Sequence, residues 1–352
     1  MGQFTNNIEL NRLKKLYEEN PSDVEVCLAL AQLYMVDNQF EYAINLYKNI
    51  LILDVDNFVA QNSLASALFM SNKHLESIDV LEKLIENKPE HFSAYYNLAN
   101  IYAEIGNHKR AIENYNLALE LSGPNDVVLS ALAIVYQEIG QLEEAIHLYQ
   151  KSIELSPENP EYCVNLASVY MEKQDYNQAI AFYQKGYELD NSDYRACVCI
   201  ANGYSEIKNY DSAIEFYQKA IQINSNYIDS YICYGITLSD MGKGDESIEI
   251  YKKAIAISPD SPKINLILAN ALAENINYTE AIEYYKKVIL LDENNLMAYV
   301  SLANSYSLTQ DLENALEYYR KASRLAPEDE EITMLYDDAV EAYIAQQNKE
   351  NI

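Results

Sequence analysis

Acidic side chains recur at a constant 34-residue interval through the middle of the sequence, at Glu104, Glu138, Glu172, Glu206, Asp240 and Glu274. A row of carboxylates can attract a basic partner, and a close pair can carry out acid–base catalysis where an apolar pocket separates the two pKa values. The sequence indicates no such pocket, and acid pairs arise by chance in a chain with a formal net charge of −29. We interpret these acids as binding groups; an ordinary solvated surface is the alternative.

Amide side chains follow the same 34-residue spacing. An asparagine both donates and accepts hydrogen bonds, so it can hold an extended peptide backbone without reading its side chains. The alternative is that these residues reflect a composition rich in asparagine. One column begins with Gln32 and continues with Asn100, Asn202, Asn270 and Asn304, and a neighbouring column contains Asn97 and Asn165.

The remaining reactive residue types form no catalytic, metal-binding or cofactor-binding pattern. None of the four histidines has the Glu-x-x-His spacing of a zinc site, and Gly242-Lys243-Gly244 is too short for a phosphate-binding loop. The five cysteines lack the spacing of a disulfide framework, which predicts buried, reduced thiols that act as small apolar residues. We therefore predict no catalytic residue, no metal and no cofactor, and expect the protein not to be an enzyme.

Charge and hydropathy narrow the classes of partner. The excess of 54 Asp and Glu over 25 Lys and Arg disfavours nucleic acids and anionic membranes, which carry the same sign. The first eleven residues do not resemble a secretory signal, and no apolar stretch approaches the length of roughly 18 residues that a membrane-spanning helix needs. These features predict a cytoplasmic protein whose partner is a basic or neutral polypeptide.

The elements that position the acids and amides repeat with the same period. A small residue recurs at each 34-residue step, with no insertion or deletion across nine units: Ala43, Ser77, Ala111, Ala145, Ala179, Ala213, Ser247, Ala281 and Ala315. A second small column lies twelve residues earlier, from Ala31 to Ala303, and an aromatic or aliphatic column lies four residues later, from Tyr47 to Tyr319. A period of this length predicts an array of identical supersecondary units.

Each unit contains two helical stretches, which we call helix A and helix B. In the third unit they are expected at Phe92–Ile105 and His108–Leu121, where apolar residues follow helical spacing. Ala99 and Ala111 are small enough for the two helices to approach closely where they cross, and the tyrosines fill the space beside the crossing. Part of the excess of tyrosine (32 residues) is therefore structural.

These residues resemble the tetratricopeptide repeat family, which has small residues at positions eight and twenty of each unit and an aromatic residue at position twenty-four. The resemblance covers residues 24–329 and implies an all-α, right-handed superhelical solenoid of nine 34-residue helix-turn-helix units. Residues 1–23 are predicted to be an N-terminal capping helix, equivalent to half a repeat, and residues 330–352 a C-terminal capping helix with a frayed tail. Position four departs from the family, because its frequent Trp is replaced, for example by Cys27, Gln61, Tyr231 and Asn265.

The resemblance also implies where a ligand would bind. In the family, helix A lines a concave groove with positions two, five, six, nine, twelve and thirteen. The predicted peptide-binding residues at positions six, nine and thirteen are therefore Asn97, Asn100, Glu104, Glu138, Asn165, Glu172, Asn202, Glu206, Asp240, Asn270, Glu274 and Asn304. A clamp for a carboxylate terminus is disfavoured, because positions five and six contain no Lys or Arg.

The sequence thus predicts a scaffold or adaptor that binds a basic or neutral peptide segment in this groove. One alternative is a structural scaffold that self-associates through its apolar N-terminal end, where Met35, Val36, Phe69 and Met70 occupy positions twelve and thirteen. Another is a separately encoded, substrate-binding subunit of an enzyme, because similar repeats form the substrate-binding arm of O-linked N-acetylglucosamine transferases.

Overall fold

The computed structural model describes residues 2–350, and the side chains of residues 8–348. These residues form twenty α-helices and no strand. Helix A of each unit begins at the first residue of the predicted repeat: α2 Val24–Val36, α4 Phe58–Met70, α6 Phe92–Glu104, α8 Asp126–Glu138, α10 Pro160–Glu172, α12 Tyr194–Glu206, α14 Ile228–Asp240, α16 Pro262–Glu274 and α18 Leu296–Leu308.

Helix B follows after a short turn in every unit. Its bounds are α3 Phe40–Leu53, α5 His74–Asn87, α7 His108–Ser122, α9 Leu142–Leu155, α11 Tyr176–Leu189, α13 Tyr210–Ile223, α15 Gly244–Ile257, α17 Tyr278–Leu291 and α19 Leu312–Leu325. The chain forms two compact units, residues 1–173 and residues 174–352. Within each of them, every helix packs against the next along the chain.

Local sequence explains why helix A begins where it does. In six of the nine units, an Asn or Asp directly before helix A accepts a hydrogen bond from a backbone N–H of the first turn, as Asn57 does from Ala60 at 3.0 Å and Asn295 from Ala298 at 3.0 Å. Such caps satisfy backbone donors that would otherwise lack a partner. Pro160 and Pro262 stand at the start of α10 and α16, where a missing N–H costs nothing.

The turn from helix A to helix B requires a left-handed backbone in every unit. The second residue after helix A has φ between 57° and 74°, and it is glycine in only three units. Ile276 adopts this conformation with φ 64°, although a β-branched side chain disfavours it. The turn geometry is therefore imposed by the packing of the two helices and not by the residue in the turn.

The crossing of helix A and helix B confirms the small columns as core positions. Ala99 and Ala111 have no exposed surface, and neither do Ala31 and Ala43 in the first unit. Gly235 replaces alanine in the seventh unit, and a Cβ at this residue would lie 2.3 Å from Cε1 of Tyr251. The buried tyrosine thus occupies the space that alanine fills elsewhere.

The residues that replace tryptophan at position four share a contact that the sequence did not reveal. In four units the side chain donates a hydrogen bond to the backbone carbonyl six residues earlier, in the loop that enters helix A. The bonds join Cys27 Sγ to Pro21 (3.4 Å), Gln61 Nε2 to Val55 (2.8 Å), Tyr231 OH to Ser225 (3.0 Å) and Asn265 Nδ2 to Pro259 (2.9 Å). Each bond ties the helix to the preceding linker, so chemically different side chains serve one structural purpose.

The terminal helices cover the ends of the array. Helix α1, Gly2–Glu19, lies within the predicted capping segment 1–23 and buries Leu10 and Leu13 in the first core cluster. Helix α20, Glu330–Glu350, packs on α19 through Leu335 and its neighbours. The last two residues of the predicted frayed tail lie outside the described residues. None of the described helices has the length and apolar character to cross a membrane.

Candidate functional site

One stripe of helix A contains the predicted binding residues and is at least partly exposed, except at position five, where Ser130, Val198 and Ile232 are buried. We call it the helix-A face and define it by positions two, five, six, nine, twelve and thirteen of each unit. In α6 these residues are Ser93, Tyr96, Asn97, Asn100, Ala103 and Glu104. The face is described separately for residues 1–173 and for residues 174–352.

The acids at position thirteen end helix A and are exposed in all six units. The buried Tyr149 lies near two of them, Glu138 and Glu172 of consecutive units, and its pKa is raised chiefly by burial and further by these two carboxylates. Tyr251 has the same surroundings in the second compact unit, where burial foremost, together with Glu274 and Asp240, raises its pKa to about 12. Acids of neighbouring units therefore flank a single tyrosine hydroxyl.

Few basic groups of the chain neutralise these acids. Glu172 accepts a hydrogen bond from Gln137 Nε2 at 2.6 Å, and Glu138 lies 3.6 Å from Nδ1 of His108. Within the described residues, no lysine or arginine forms an ion pair with any of the six acids. Their negative charge is therefore available to a ligand.

The asparagines at position nine have a partner that the sequence did not indicate. In each case the buried tyrosine at position twenty-four of the same unit, which lies in helix B, donates a hydrogen bond to the asparagine Oδ1. The pairs are Tyr115 with Asn100 (2.5 Å), Tyr217 with Asn202 (2.7 Å), Tyr285 with Asn270 (2.8 Å) and Tyr319 with Asn304. The amide oxygen is therefore engaged inside the protein in all four units.

Tyr217 belongs to a larger polar network. Its oxygen accepts a hydrogen bond from Thr237 Oγ1 at 3.3 Å, while its own O–H is directed at Asn202. Thr237 also lies 3.1 Å from the hydroxyl of Ser205. Buried polar groups of this kind are stabilising only when each finds a partner, so the network fixes the orientation of its members.

The two asparagines at position six differ from those at position nine. Asn97 donates from Nδ2 to Asn62 Oδ1 at 2.9 Å, and Ser66 Oγ lies 3.4 Å from the same nitrogen. Its donor group therefore joins two repeats, and its oxygen is left for other contacts. The backbone carbonyl of Asn165 accepts a hydrogen bond from Ser168 at 2.7 Å, and its side chain is partly exposed.

Isoleucine replaces asparagine at position nine in the fourth and seventh units. Ile134 is 44% exposed and Ile236 is 48% exposed, and both lie on the helix-A face. Sequence reasoning followed the asparagines and missed these two residues, although they stand in the same column. Each belongs to the unit whose tyrosine is flanked by two acids, so an apolar side chain and carboxylates occur together there.

The N-terminal end of the helix-A face is apolar, as the sequence predicts. Val36 is 66% exposed and Met70 52% exposed at position thirteen, where the next units have acids. Met35 and Phe69 are partly buried, and the Phe69 ring lies 5.5 Å from the imidazole of His74. The first two units therefore offer an apolar surface where the third, fourth and fifth offer charge.

A cleft of about 470 Å³ on the helix-B side was not predicted. It is lined by Leu119, Pro124, Leu129, Lys151, Glu154 and Leu155. Helix α7 is one residue longer than the other B helices. It ends at Ser122, and the next residue, Gly123, caps the helix with φ 74°. The sequence signal was present, because Gly123-Pro124 departs from the usual linker, but nothing in the spacing indicated a cleft.

The thiols divide into two groups. Cys27, Cys163 and Cys197 at position four are buried, whereas Cys199 and Cys233 at position six are partly exposed on the helix-A face. The expectation of buried thiols is therefore wrong for these two, because position six faces outward. Among the described residues, no cluster of three or more His, Cys, Asp or Glu side chains could hold a metal ion.

Sequence profiles described as Tetratricopeptide repeat match successive segments of the chain. Together they match residues 28–90, 90–158, 138–197, 194–227, 238–306 and 298–329. No curated protein matches the chain.

Solved structures also resemble the chain. A tetratricopeptide repeat protein from Parabacteroides merdae ATCC 43184 is 20% identical, with a TM-score of 0.52 over 71% of this chain and 98% of that protein. MamA is 27% identical, with a TM-score of 0.43 over 48% of this chain and 92% of MamA. YrrB, described as a TPR protein with an unusual peptide-binding site, is 23% identical, with a TM-score of 0.44 over 55% and 97%. The first of these likenesses supports an all-α repeat fold.

Proposed function

The chain belongs to the tetratricopeptide repeat family, and from this premise we propose that it is a scaffold or adaptor that binds a basic or neutral polypeptide segment along its helix-A face. The observation that carries the proposal is the pairing of carboxylates from consecutive units around one buried hydroxyl, next to an exposed isoleucine. Protein binding, and not catalysis, is the function that this arrangement supports.

The acids supply attraction and selectivity for charge. Helices α8 and α10 meet where Gln137 Nε2 donates to Glu172 at 2.6 Å, and the axes of packed helices lie about 8–10 Å apart, so we expect a similar spacing between Glu138 and Glu172. This distance is close to the screening length of about 8 Å in physiological salt, so the fields of Glu138 and Glu172 overlap. A lysine or arginine side chain between them would interact with both carboxylates.

The isoleucines make the same places suitable for an amphipathic side chain. Lysine and arginine carry their charge on an apolar stem, which can pack on exposed apolar surface while the charged end reaches a carboxylate. Ile134 offers such a surface beside Glu138 and Glu172. A free inorganic cation would gain nothing from the isoleucine, so the combination favours a polypeptide.

The partner classes follow from the net charge of −29. Nucleic acids and anionic membranes would be repelled, whereas a basic segment would be attracted in a salt-dependent manner. The same proposal places the protein in the cytoplasm, in keeping with five cysteines that are all unbridged.

Charge reversal on the helix-A face tests the proposal. The site variant combines Glu138→Lys, Glu172→Lys and Glu206→Lys. The matched control combines Glu120→Lys, Glu144→Lys and Glu188→Lys, three exposed acids of helix B that form no ion pair within the described residues. Each substitution adds two charges, so both variants change the formal net charge from −29 to −23.

Binding is measured by fluorescence anisotropy against a labelled peptide library that spans acidic to basic net charge. We expect wild-type protein to select basic peptides, with affinity that falls as salt rises, and the site variant to lose about tenfold or more in affinity while the control loses little. Equal losses in the two variants would show that bulk charge, and not the helix-A face, selects the ligand.

Self-association is a second candidate function, because Val36 and Met70 expose apolar surface where other units have acids. Large exposed apolar patches frequently mark interaction sites. Light scattering over a dilution series checks this candidate. A mass that falls to that of the monomer on dilution, and that stays monomeric throughout in the Val36→Glu/Met70→Glu variant, supports it, whereas a strictly monomeric wild-type protein contradicts it.

A further inference from the structure

We propose that the buried tyrosines of helix B fix the orientation of the position-nine asparagines, so that each amide presents only its NH₂ group to a ligand. The inference rests on the proposed function and deepens it, because it assigns these tyrosines a role as positioning residues. The ligand that fits is an extended segment whose backbone carbonyls face the helix-A face at regular intervals.

The same geometry recurs in consecutive units. Tyr285 donates to Asn270 Oδ1 at 2.8 Å, and Tyr319 donates to Asn304 in the next unit. Both tyrosines are buried, at 2% and 5% exposure, and they reach the amides from the side of the core. Because the amide group is planar, engagement of its oxygen toward the core turns its nitrogen away from the core.

The direction of the bond follows from chemistry as well as from geometry. Tyr285 is 2% exposed and its hydroxyl lies 2.8 Å from Asn270 Oδ1, so the hydroxyl donates its proton to the amide oxygen. The oxygen of Tyr217 already accepts from Thr237, which leaves its O–H free to donate to Asn202. An asparagine whose amide oxygen and nitrogen exchanged places would donate to the tyrosine oxygen and would turn its own amide oxygen away from the core.

The donors fixed in this way are free to bind. Within the described part of the chain, Nδ2 of Asn100, Asn270 and Asn304 has no hydrogen-bond partner. Asn202 differs, because its side chain also contacts the thiol of Cys233. The pair Asn270 and Asn304 is therefore the clearest case, with two free donors in consecutive units.

Spacing identifies the conformation of the ligand. Helices α16 and α18 pack directly, and the axes of packed helices lie about 8–10 Å apart, so we expect a similar spacing between Asn270 and Asn304. A polyproline II segment advances about 3.1 Å per residue with three residues per turn, so every third carbonyl recurs on one side after about 9 Å. The two donors thus match one carbonyl per turn of such a segment. No backbone N–H of the ligand is needed, so proline is tolerated at every position.

The test uses the full chain and a fluorescein-labelled peptide of repeating Pro-Pro-Lys triplets, with Pro-Pro-Glu triplets as the charge control. The variant is Tyr285→Phe/Tyr319→Phe, which keeps both rings and removes both hydroxyls. The control is Tyr47→Phe, the same removal of a buried hydroxyl in the first unit, where position nine is Gln32. Circular dichroism confirms that both variants fold.

Two readouts are taken. The first needs no ligand: the NMR order parameters of the Asn270 and Asn304 side-chain NH₂ groups should be high in wild type and in the control, and should fall in Tyr285→Phe/Tyr319→Phe. The second is peptide affinity, which should fall about threefold to tenfold in that variant, the loss expected from one or two disordered hydrogen bonds, and should hold in the control.

The outcomes separate this inference from the proposed function. Unchanged order parameters in Tyr285→Phe/Tyr319→Phe overturn the inference, whatever the peptide does. Lower order with unchanged affinity overturns the role of the tyrosines in binding. In a third outcome, the order parameters fall in the variant but wild-type protein does not bind the Pro-Pro-Lys peptide. The orientation of the amides is then supported. The assigned ligand, and with it the binding of basic extended segments, is overturned.

Discussion

Positions eight and nine of helix A are neighbours in sequence, yet they are under opposite constraints. Position eight lies at the crossing with helix B, is fully buried, and is alanine in every unit except for Gly235. Position nine lies on the helix-A face, is at least partly exposed, and differs between units: Gln32, Ser66, Asn100, Ile134, Ser168, Asn202, Ile236, Asn270 and Asn304. Only a small side chain fits at the crossing, whereas position nine accepts amide, hydroxyl and aliphatic side chains.

The comparison shows how one repeat can hold the fold constant while its binding surface changes. Van der Waals contact at the crossing fixes residue size, because interiors are packed to high density. The asparagines at position nine meet the hydroxyl of the tyrosine at position twenty-four, and Asn202 also contacts the thiol of Cys233. Asparagine accepts that hydrogen bond, and where isoleucine replaces it the hydroxyl finds other surroundings, such as Glu138 and Glu172 near Tyr149. Stability and recognition are thus encoded in adjacent columns.

The largest effect is expected at the crossing. Gly235→Ala would place a Cβ at 2.3 Å from the ring of Tyr251, which is only 3% exposed and cannot move freely. We expect a loss of about 1–3 kcal/mol in the free energy of unfolding, typical of overpacking. Urea unfolding followed by circular dichroism measures it.

The double variant Gly235→Ala/Tyr251→Leu distinguishes this clash from a general intolerance of alanine. Removal of the ring makes room for the new methyl group, so the cost of Gly235→Ala should largely disappear in the Tyr251→Leu background. A cost that is the same in both backgrounds would mean that the ring does not set the size of position eight.

The helix boundaries and the buried columns were predictable because the 34-residue period runs without interruption. All nine A helices begin at the predicted residue, and in six of them an Asn or Asp cap such as Asn57 or Asn295 recurs with the same period. The extension of α7 to Ser122 was not foreseen, because it depends on a single glycine, Gly123, at the helix end. Local sequence thus determined most of the element bounds.

The candidate site was predictable only in part. The acids and asparagines could be identified from their columns, but the hydrogen bond between Tyr285 and Asn270 joins positions fifteen residues apart across two helices. The tyrosine column is nearly constant while the asparagine column is not, so nothing in the sequence linked them. Tertiary packing supplies that link, and the predicted role of the asparagines stays a prediction.

A smaller effect on stability is expected in the turn between helix A and helix B. This turn belongs neither to the crossing nor to the helix-A face. Ile276 adopts φ 64° and is 75% exposed, so its β-branched side chain is strained and contributes little burial. Ile276→Gly should raise the free energy of unfolding by about 1 kcal/mol, because glycine adopts this conformation without steric cost. Ile276→Val, which keeps the branch, is the control and should change little. A destabilised glycine variant would show that the side chain has a packing role.

The smallest effect is expected where consecutive units meet, at Asp126. Its carboxylate accepts hydrogen bonds from Ser156 and Tyr162, each at 2.8 Å, and these bonds lower its pKa below the ordinary value of 3.8. A lowered pKa contributes stability that is present above the unfolded-state value and lost as pH falls through the folded-state value. The contribution is small, below about 1 kcal/mol, because the group is partly exposed.

Asp126→Asn should therefore be less stable than wild type at neutral pH, and the difference should shrink below about pH 4 as Asp126 becomes protonated. Urea unfolding of both proteins across this range measures the difference, and a carbon-13 NMR titration of the Asp126 carboxyl locates its pKa. A difference that persists unchanged into acid would show that the carboxylate charge contributes nothing to the contact. The contact between the fourth and fifth repeats would then depend on packing alone, as the contact between helix A and helix B does at their crossing.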